Sequence, residues 1–194
     1  MALSDFDSPD AWRRDLDARW PERAEVRVEM VRILKAHVRR EDASLLELGA
    51  GDGELMAQVG SALPDARLVA VDREPSLLRH TVERIPRVQT TELDLNGAWV
   101  GLDPGFDAVY SLQTLHDLGG LAELRRVYAR AVSLLAPGGL LLNADFSSPQ
   151  AHDDPDNPRR FPAGVHAALM QELGLREARS HGSYGLLMCV SGVA

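Results

Sequence analysis

Between residues 44 and 146, short apolar runs alternate with longer stretches of helical character, and this alternation constrains the fold more than any other feature. Ser44–Leu48, Arg67–Val71, Phe106–Leu112 and Leu140–Phe146 are short and mostly apolar, as strands buried on both faces are, and Val88–Leu93 reads as a more polar strand. Glu54–Leu63, Pro75–Arg84 and Leu118–Leu135 separate them and read as helices. Parallel neighbours need a crossover long enough to return the chain, so the alternation predicts a parallel sheet with helices on both faces. The end of the chain departs from this pattern. After a helix near Val165–Leu173, the strand candidates Leu175–Ser180 and Tyr184–Val190 are separated only by His181-Gly182-Ser183. That is too short for a crossover, so the two should pair antiparallel. The expected fold is α/β: a Rossmann-like, mostly parallel seven-stranded sheet closed by a C-terminal antiparallel hairpin.

Two helices precede this core. Ser8-Pro9-Asp10 is a helix start, with a capping hydroxyl, a proline where no N–H is needed and an acid near the positive end of the dipole. A second helix runs from Pro21 to about Arg40, with Val26, Met30, Ile33, Leu34 and His37 on one face. Trp12 and Trp20 lie two helical turns apart, which suits either packing on the sheet or a lid over a ligand. At 194 residues, 45% of them hydrophobic, the chain is expected to be one domain, with residues 1–40 as helices that could act as a lid and 41–194 as the α/β core.

Composition excludes several classes of partner. The net charge is -8, which repels phosphate backbones, and the pairs Arg13/Arg14, Arg39/Arg40, Arg125/Arg126 and Arg159/Arg160 mostly have acids near them. Nucleic acid is therefore not expected. Cys189 is the one cysteine, which excludes an internal disulfide and a CxxC-type zinc site. The N-terminus lacks the apolar segment of a signal peptide, and no run approaches the roughly 20 apolar residues of a membrane span. A cytoplasmic protein is expected. The proline-rich stretch Ser147–Gly164 follows a parallel strand and should overlie the carboxyl edge of the sheet, as a gate or a mobile connection. Its His152, Asp153, Asp154 and Asp156 read as solvating groups, and no metal is expected.

The chemistry concentrates at LLELGAGDGEL, residues 45–55. Dinucleotide folds space their glycines G-x-G-x-x-G and receive a pyrophosphate at the helix N-terminus. Here the spacing is G-x-G-x-G, and Glu47 and Asp52 flank the turn. Acids suit an ammonium and sugar hydroxyls better than a pyrophosphate. Asp72 ends the second strand, where a carboxylate can accept from both ribose hydroxyls, and Asp94 follows the third. Each alone could simply cap a helix or turn the chain. Together, beside a glycine turn, they suit a ligand that is cationic near the turn and carries sugar hydroxyls.

These segments, in order and spacing, resemble the class I S-adenosylmethionine-dependent methyltransferases over roughly residues 44–190. LLELGAGDGEL is similar to the family's first motif, VAVD (69–72) to its acidic second-strand end, and ELDLN (92–96) to its adenine-contacting segment. FDAVYSLQTLHDL (106–118) resembles the fourth-strand motif of the small-molecule branch, and LLAPGGLLL (134–142) the turn into the fifth strand. The resemblance implies S-adenosyl-L-methionine as cofactor. Glu47 and the backbone of Gly49, Ala50, Gly51, Asp52 and Gly53 would hold its methionine part; Asp72 would bind the ribose, with Arg73 flanking the adenine. Asp94 would take the adenine amine, the Leu95 N–H would face a ring nitrogen, and Ser111 and Leu112 would line the methyl-donor end.

Methyl transfer from a sulfonium needs alignment of donor and acceptor, and a base only if the acceptor must lose a proton. His116 is the candidate base, with packing under the loop as the alternative; Gln113 could orient the acceptor, and Trp12 could contact it. His166 could pack or line the acceptor pocket. The Asp/Asn-Pro-Pro-aromatic motif of amine methylation on bases or glutamine is replaced by Ser-Leu-Gln-Thr, so the expected acceptor is a small molecule. The alternatives are a cofactor-binding regulator or partner protein without turnover, and a protein methyltransferase. An NAD-dependent oxidoreductase fits worst, given the glycine spacing and the terminal hairpin.

Overall fold

The computed structural model describes residues 6–150 and 153–194; His152 lies outside them. Seven strands form one sheet in the order β3-β2-β1-β4-β5-β7-β6. They are β1 (Ser44–Leu48), β2 (Arg67–Asp72), β3 (Gln89–Glu92), β4 (Phe106–Leu112), β5 (Leu135–Phe146), β6 (Arg176–Tyr184) and β7 (Leu187–Val193). All pairings among β1–β5 are parallel, while β7 lies antiparallel between β5 and β6. Among the described residues six α-helices accompany them: α1 (Pro9–Arg19), α2 (Arg23–His37), α3 (Glu54–Ala62), α4 (Pro75–Arg84), α5 (Leu121–Leu134) and α6 (Ala163–Glu172).

The central strands β1, β2, β4 and β5 are apolar on both sides because both sides are covered. Leu45, Ala70, Ala108, Tyr110 and Leu142 face a core completed by α2 and α3, including Met30, Leu34 and Met56. Leu46, Val71, Val109 and Leu141 face a second core completed by α5 and α6, including Val127, Tyr128 and Met170. No helix among the described residues is long and apolar enough to cross a membrane.

Several boundaries differ from the sequence expectation: α2 ends at His37 rather than near Arg40, and three further differences change local structure. One turn of 3₁₀ helix, Leu115–Asp117, precedes α5, which therefore begins at Leu121. β5 begins at Leu135, which pairs with Phe106, and a bulge over the Pro137-Gly138-Gly139 segment intervenes before Leu140 pairs with Ala108. His181-Gly182-Ser183 belongs to β6, and the chain reverses instead at Gly185-Leu186. The true turn is fixed from outside the hairpin: Gly185 adopts φ 55°, and the Leu186 N–H donates to Glu22 Oε1 at 3.1 Å.

Candidate active site

The carboxyl ends of β1, β2, β4 and β5 meet at the glycine turn, and hydrogen bonding within the turn decides what it can hold. The N–H groups of Gly49 and Ala50 both donate to Val71 O, at 2.8 and 3.0 Å, and that of Gly53 to Ala50 O at 3.1 Å. The Gly51 N–H donates to Asp72 Oδ2 at 2.9 Å. A loop that cradles a pyrophosphate presents these donors to the ligand; here they are consumed internally. Gly49, Gly51 and Gly53 all have positive φ, and the first and third are also packed tight: a Cβ at Gly49 would strike Thr114, and one at Gly53 would lie 2.8 Å from Thr81 Cγ2. Gly51 differs, because its neighbour is the Trp12 ring, 3.3 Å from where a Cβ would stand. The close approach at the second glycine is thus made by the protein's own α1.

Glu47 is 2% exposed, its strand neighbour Tyr110 donates to Met56 Sδ at 3.1 Å, and Glu47 Oε2 has no donor. Burial pushes its carboxyl well above the ordinary range, and Asp52 adds to the effect. Asp72 is also raised by burial, although it accepts from Gly51 and, through Oδ1, from the Glu74 N–H at 3.0 Å. Asp52 faces elsewhere: it pairs with Arg13 Nε at 2.9 Å and Arg84 Nη2 at 3.4 Å. Those arginines also bind Asp10 and Glu54, so the acid expected at the ligand's ammonium is instead part of the latch that holds α1 down. Asp10, Asp52 and His80 lie close enough together to ligate a cation, but Arg13 and Arg84 already neutralise these carboxylates.

Arg73 and Asp94 are exposed at the ends of β2 and β3, with Asp94 Oδ1 accepting from the Asn96 N–H at 2.9 Å, and Leu95 is buried. Ser111 is 2% exposed and donates to Leu48 O at 3.1 Å, tying β4 to β1 beneath the turn. Leu112 follows, half-buried, and Gln113 adopts φ 48°, a left-handed conformation costly for a side chain of this kind. Thr114 bonds Gly49 O at 3.2 Å, which joins this segment to the turn.

His116 comes next, and sequence reasoning did not identify its partner. Asp145, at the end of β5, accepts from His116 Nδ1 at 2.7 Å. Three backbone N–H groups, of Leu115, His116 and Phe146, hold the same carboxylate at 3.1, 3.1 and 2.8 Å. Burial raises the Asp145 carboxyl, but His116 and these donors more than reverse that and leave it below the ordinary range. An ionised carboxylate only accepts, so Nδ1 carries the proton and Nε2 is the basic nitrogen. Burial lowers the His116 pKa, and Asp145 outweighs it, for a net rise. The signal in the sequence is a lone acid in the apolar run LLLNADF. The His116 ring also lies edge-on to Phe146, which Trp20 and the Arg160 guanidinium approach from other sides. Trp12 and Trp20 therefore serve different places, the glycine turn and Phe146. His166 is a packing residue: it is 3% exposed, 2.8 Å from the Tyr128 hydroxyl, and held near a pKa of about 4 by burial.

The residues fit the cofactor of the resemblance. A buried carboxyl oxygen without a donor is what an ammonium satisfies, Asp72 retains acceptor capacity where the resemblance would put the ribose, and the N–H groups of Gly49, Ala50, Gly51 and Gly53 are not free for a phosphate.

Known proteins agree. The family profile described as "Methyltransferase domain" matches residues 46–141. The trans-aconitate 2-methyltransferase of Azoarcus sp. (strain BH72) is 30% identical over 135 residues, 69% of this chain and 50% of that protein. The chain thus spans about half the length of this relative. Among solved structures, the sugar N-methyltransferase KedS8 from Streptoalloteichus sp. superposes with a TM-score of 0.68 at 20% identity, covering 85% of each chain. An O-methyltransferase family protein from Burkholderia thailandensis gives a TM-score of 0.69 at 22% identity, over 95% of this chain and 59% of that one. The motifs at the glycine turn, the sheet with its antiparallel last strand and these likenesses place the chain among the class I S-adenosylmethionine-dependent methyltransferases.

Proposed function

We propose that the protein binds S-adenosylmethionine across the glycine turn and methylates a small molecule from which His116 removes a proton. The observation that carries this reading is the His116–Asp145 pair, 2.7 Å long and nearly buried, in the segment that also bonds the turn through Thr114. When bound, the cofactor supplies an electrophilic methyl group that a nucleophile displaces in line. The chain's own groups do the rest. Glu47 and the turn carry the methionine part, Asp72 the ribose and Asp94, Leu95 and Arg73 the adenine, while Ser111 and Leu112 line the donor end. Asp145 fixes the His116 tautomer and favours the imidazolium that forms as the acceptor gives up its proton. A small acceptor is supported by the kinds of molecule named for the relatives, an organic acid in one case and a sugar in another.

The test has two parts. Calorimetric titration should show binding of S-adenosylmethionine and S-adenosylhomocysteine, loss of both in Asp72→Ala, and no binding of NAD; binding of NAD alone would reverse the assignment. With an acceptor found by screening, His116→Asn should lower kcat by about 100-fold and leave cofactor affinity unchanged. Unchanged turnover would retire the base. Because a raised imidazole must be deprotonated to act, the acid limb of the kcat profile should lie above the ordinary 6.5 and shift down in Asp145→Asn.

A further inference from the structure

The connection from β5 to α6 has so far no part in the chemistry, yet one of its side chains comes close to the base. The Arg160 side chain is 9% exposed, and its guanidinium lies over the Phe146 ring, 5.0 Å from the centroid. The His116 ring meets the same ring edge-on at 4.9 Å. One aromatic side chain at the end of β5 is thus the seat of both a fixed cation and the candidate base. Phe146 also supplies the N–H that holds Asp145 Oδ1 at 2.8 Å, so a single residue steadies the anion and the cation that act on His116.

The seat is built rather than incidental. Arg160 pairs with Asp153, whose side chain is 5% exposed, and the next residue, Phe161, is buried with its ring 6.4 Å from that of His166. At the start of the connection the Ser147 N–H and hydroxyl both donate to Leu186 O, at 2.9 and 3.1 Å. Packing alone does not call for a cation here. Arg160 Nε is buried without an acceptor, a cost that a methionine of similar length would avoid.

What the guanidinium does at this place is electrostatic. Among the described residues, the charged groups that face His116 are Asp145 from β5, 2.7 Å from Nδ1, Asp117 from its own turn, 3.4 Å from Nε2, and Arg160. Trp20, which reaches Phe146 from the junction of α1 and α2, brings no charge. Both acids favour the imidazolium, and a ring that keeps its proton cannot accept another. Arg160 is the one group of the three that favours the neutral ring.

We propose that Arg160 is a positioning residue for the transfer: seated on Phe146, it sets a positive charge beside His116 that keeps the ring free to take the acceptor's proton. The inference rests on the reading of His116 as the base, and its test reads the imidazole directly. The His116 ring resonance, assigned by its loss in His116→Asn, is followed by NMR across pH in the wild type, Arg160→Met, Arg160→Lys and the double variant Arg160→Met/Asp153→Asn. Arg160→Met keeps the length of the side chain and removes its charge. The double variant also removes the carboxylate left behind, so it buries no unpaired acid and reports on the arginine alone.

The titration midpoint of His116 is expected to rise by about half a pH unit or more in both methionine variants, and to return toward the wild-type value in Arg160→Lys. With an acceptor in hand, the acid limb of kcat should move with it, while the affinity for S-adenosylhomocysteine stays unchanged. A midpoint in the double variant equal to that of the wild type overturns the proposal and leaves Arg160 a packing residue. Midpoints that move as expected, with His116→Asn turning over at the wild-type rate, overturn instead the base on which the proposal rests.

Discussion

Glu47 shows how a single residue can be misfit to the resting protein and fit to its ligand. Its carboxyl lies in the middle of a buried strand with one oxygen unpaired, and burial, reinforced by Asp52, raises its pKa well above the ordinary value of 4.5. A folded pKa above the unfolded one means that the folded chain holds the extra proton, so stability declines as pH rises from 4.5 toward the raised value. Glu47→Gln removes both the proton and the decline. The ligand-free variant should therefore melt higher than the wild type, with the gap widening as pH rises, while its affinity for S-adenosylhomocysteine falls because an ammonium loses its counter-ion. Differential scanning fluorimetry across pH, followed by calorimetry, checks both. A variant that melts lower than the wild type at every pH would mean that the carboxyl is satisfied in the ligand-free fold. The same reasoning separates Glu47 from Cys189: burial raises that thiol to about 12, so it stays protonated and unreactive at neutral pH.

At the scale of elements, α1 is held mainly by charge. None of its residues is buried, and its contacts include the Trp12 ring on Gly51, the ion pairs that link Asp10 and Arg13 to Asp52, Glu54 and Arg84, and those of Asp17 with Arg23 and Arg27 of α2. Partly exposed ion pairs contribute about 0–1 kcal/mol each and are weakened by salt. Amide exchange in α1 should therefore quicken between low salt and about 1 M salt, where the Debye length falls to ~3 Å, while exchange in β1, β4 and β5 stays unchanged. Bound S-adenosylhomocysteine should slow exchange in α1 if the helix closes over the ligand; an α1 indifferent to both salt and ligand would be packing alone. The start of this helix was legible from sequence because its cap is local: Ser8 Oγ accepts from the Ala11 N–H at 3.1 Å. Likewise α4 and β4 have the boundaries expected from their flanking proline and apolar run. The β6–β7 turn was not legible. Gly182 and Gly185 both suit a reversal, and Glu22, far away in sequence, selects the second by capping Leu186. Arg160 was hidden for a related reason: in a proline-rich stretch it looks like one more solvated cation, and only the fold carries it to Phe146.

For the whole molecule, buried titratable groups pull the pH dependence of stability in opposite directions. On the α5–α6 side, burial holds His166 neutral, with its pKa lowered from 6.5 to about 4. Below pH 6.5 the unfolded chain takes up a proton that the folded chain refuses, so stability falls as pH drops from 6.5 toward about 4. At 1.36 kcal/mol per unit this loss is on the order of 3 kcal/mol. His116 has the opposite sign. Its folded pKa is raised, so its contribution is fully present below 6.5 and is lost as pH rises through the folded value, in parallel with the decline from Glu47. Asp145, lowered, keeps its contribution until pH falls below 3.8 toward its folded value and leaves the middle range untouched. Stability should therefore form a dome whose acid flank belongs mainly to His166 and whose alkaline flank belongs to Glu47 and His116. Urea unfolding at a series of pH values tests the assignment. His166→Gln should flatten the acid flank and leave the alkaline one, whereas Glu47→Gln should do the reverse. An acid flank unchanged in His166→Gln would assign it to the surface charge of the acidic chain, since protonating carboxylates brings the net charge of -8 through zero at the isoelectric point of about 5.2 and then positive.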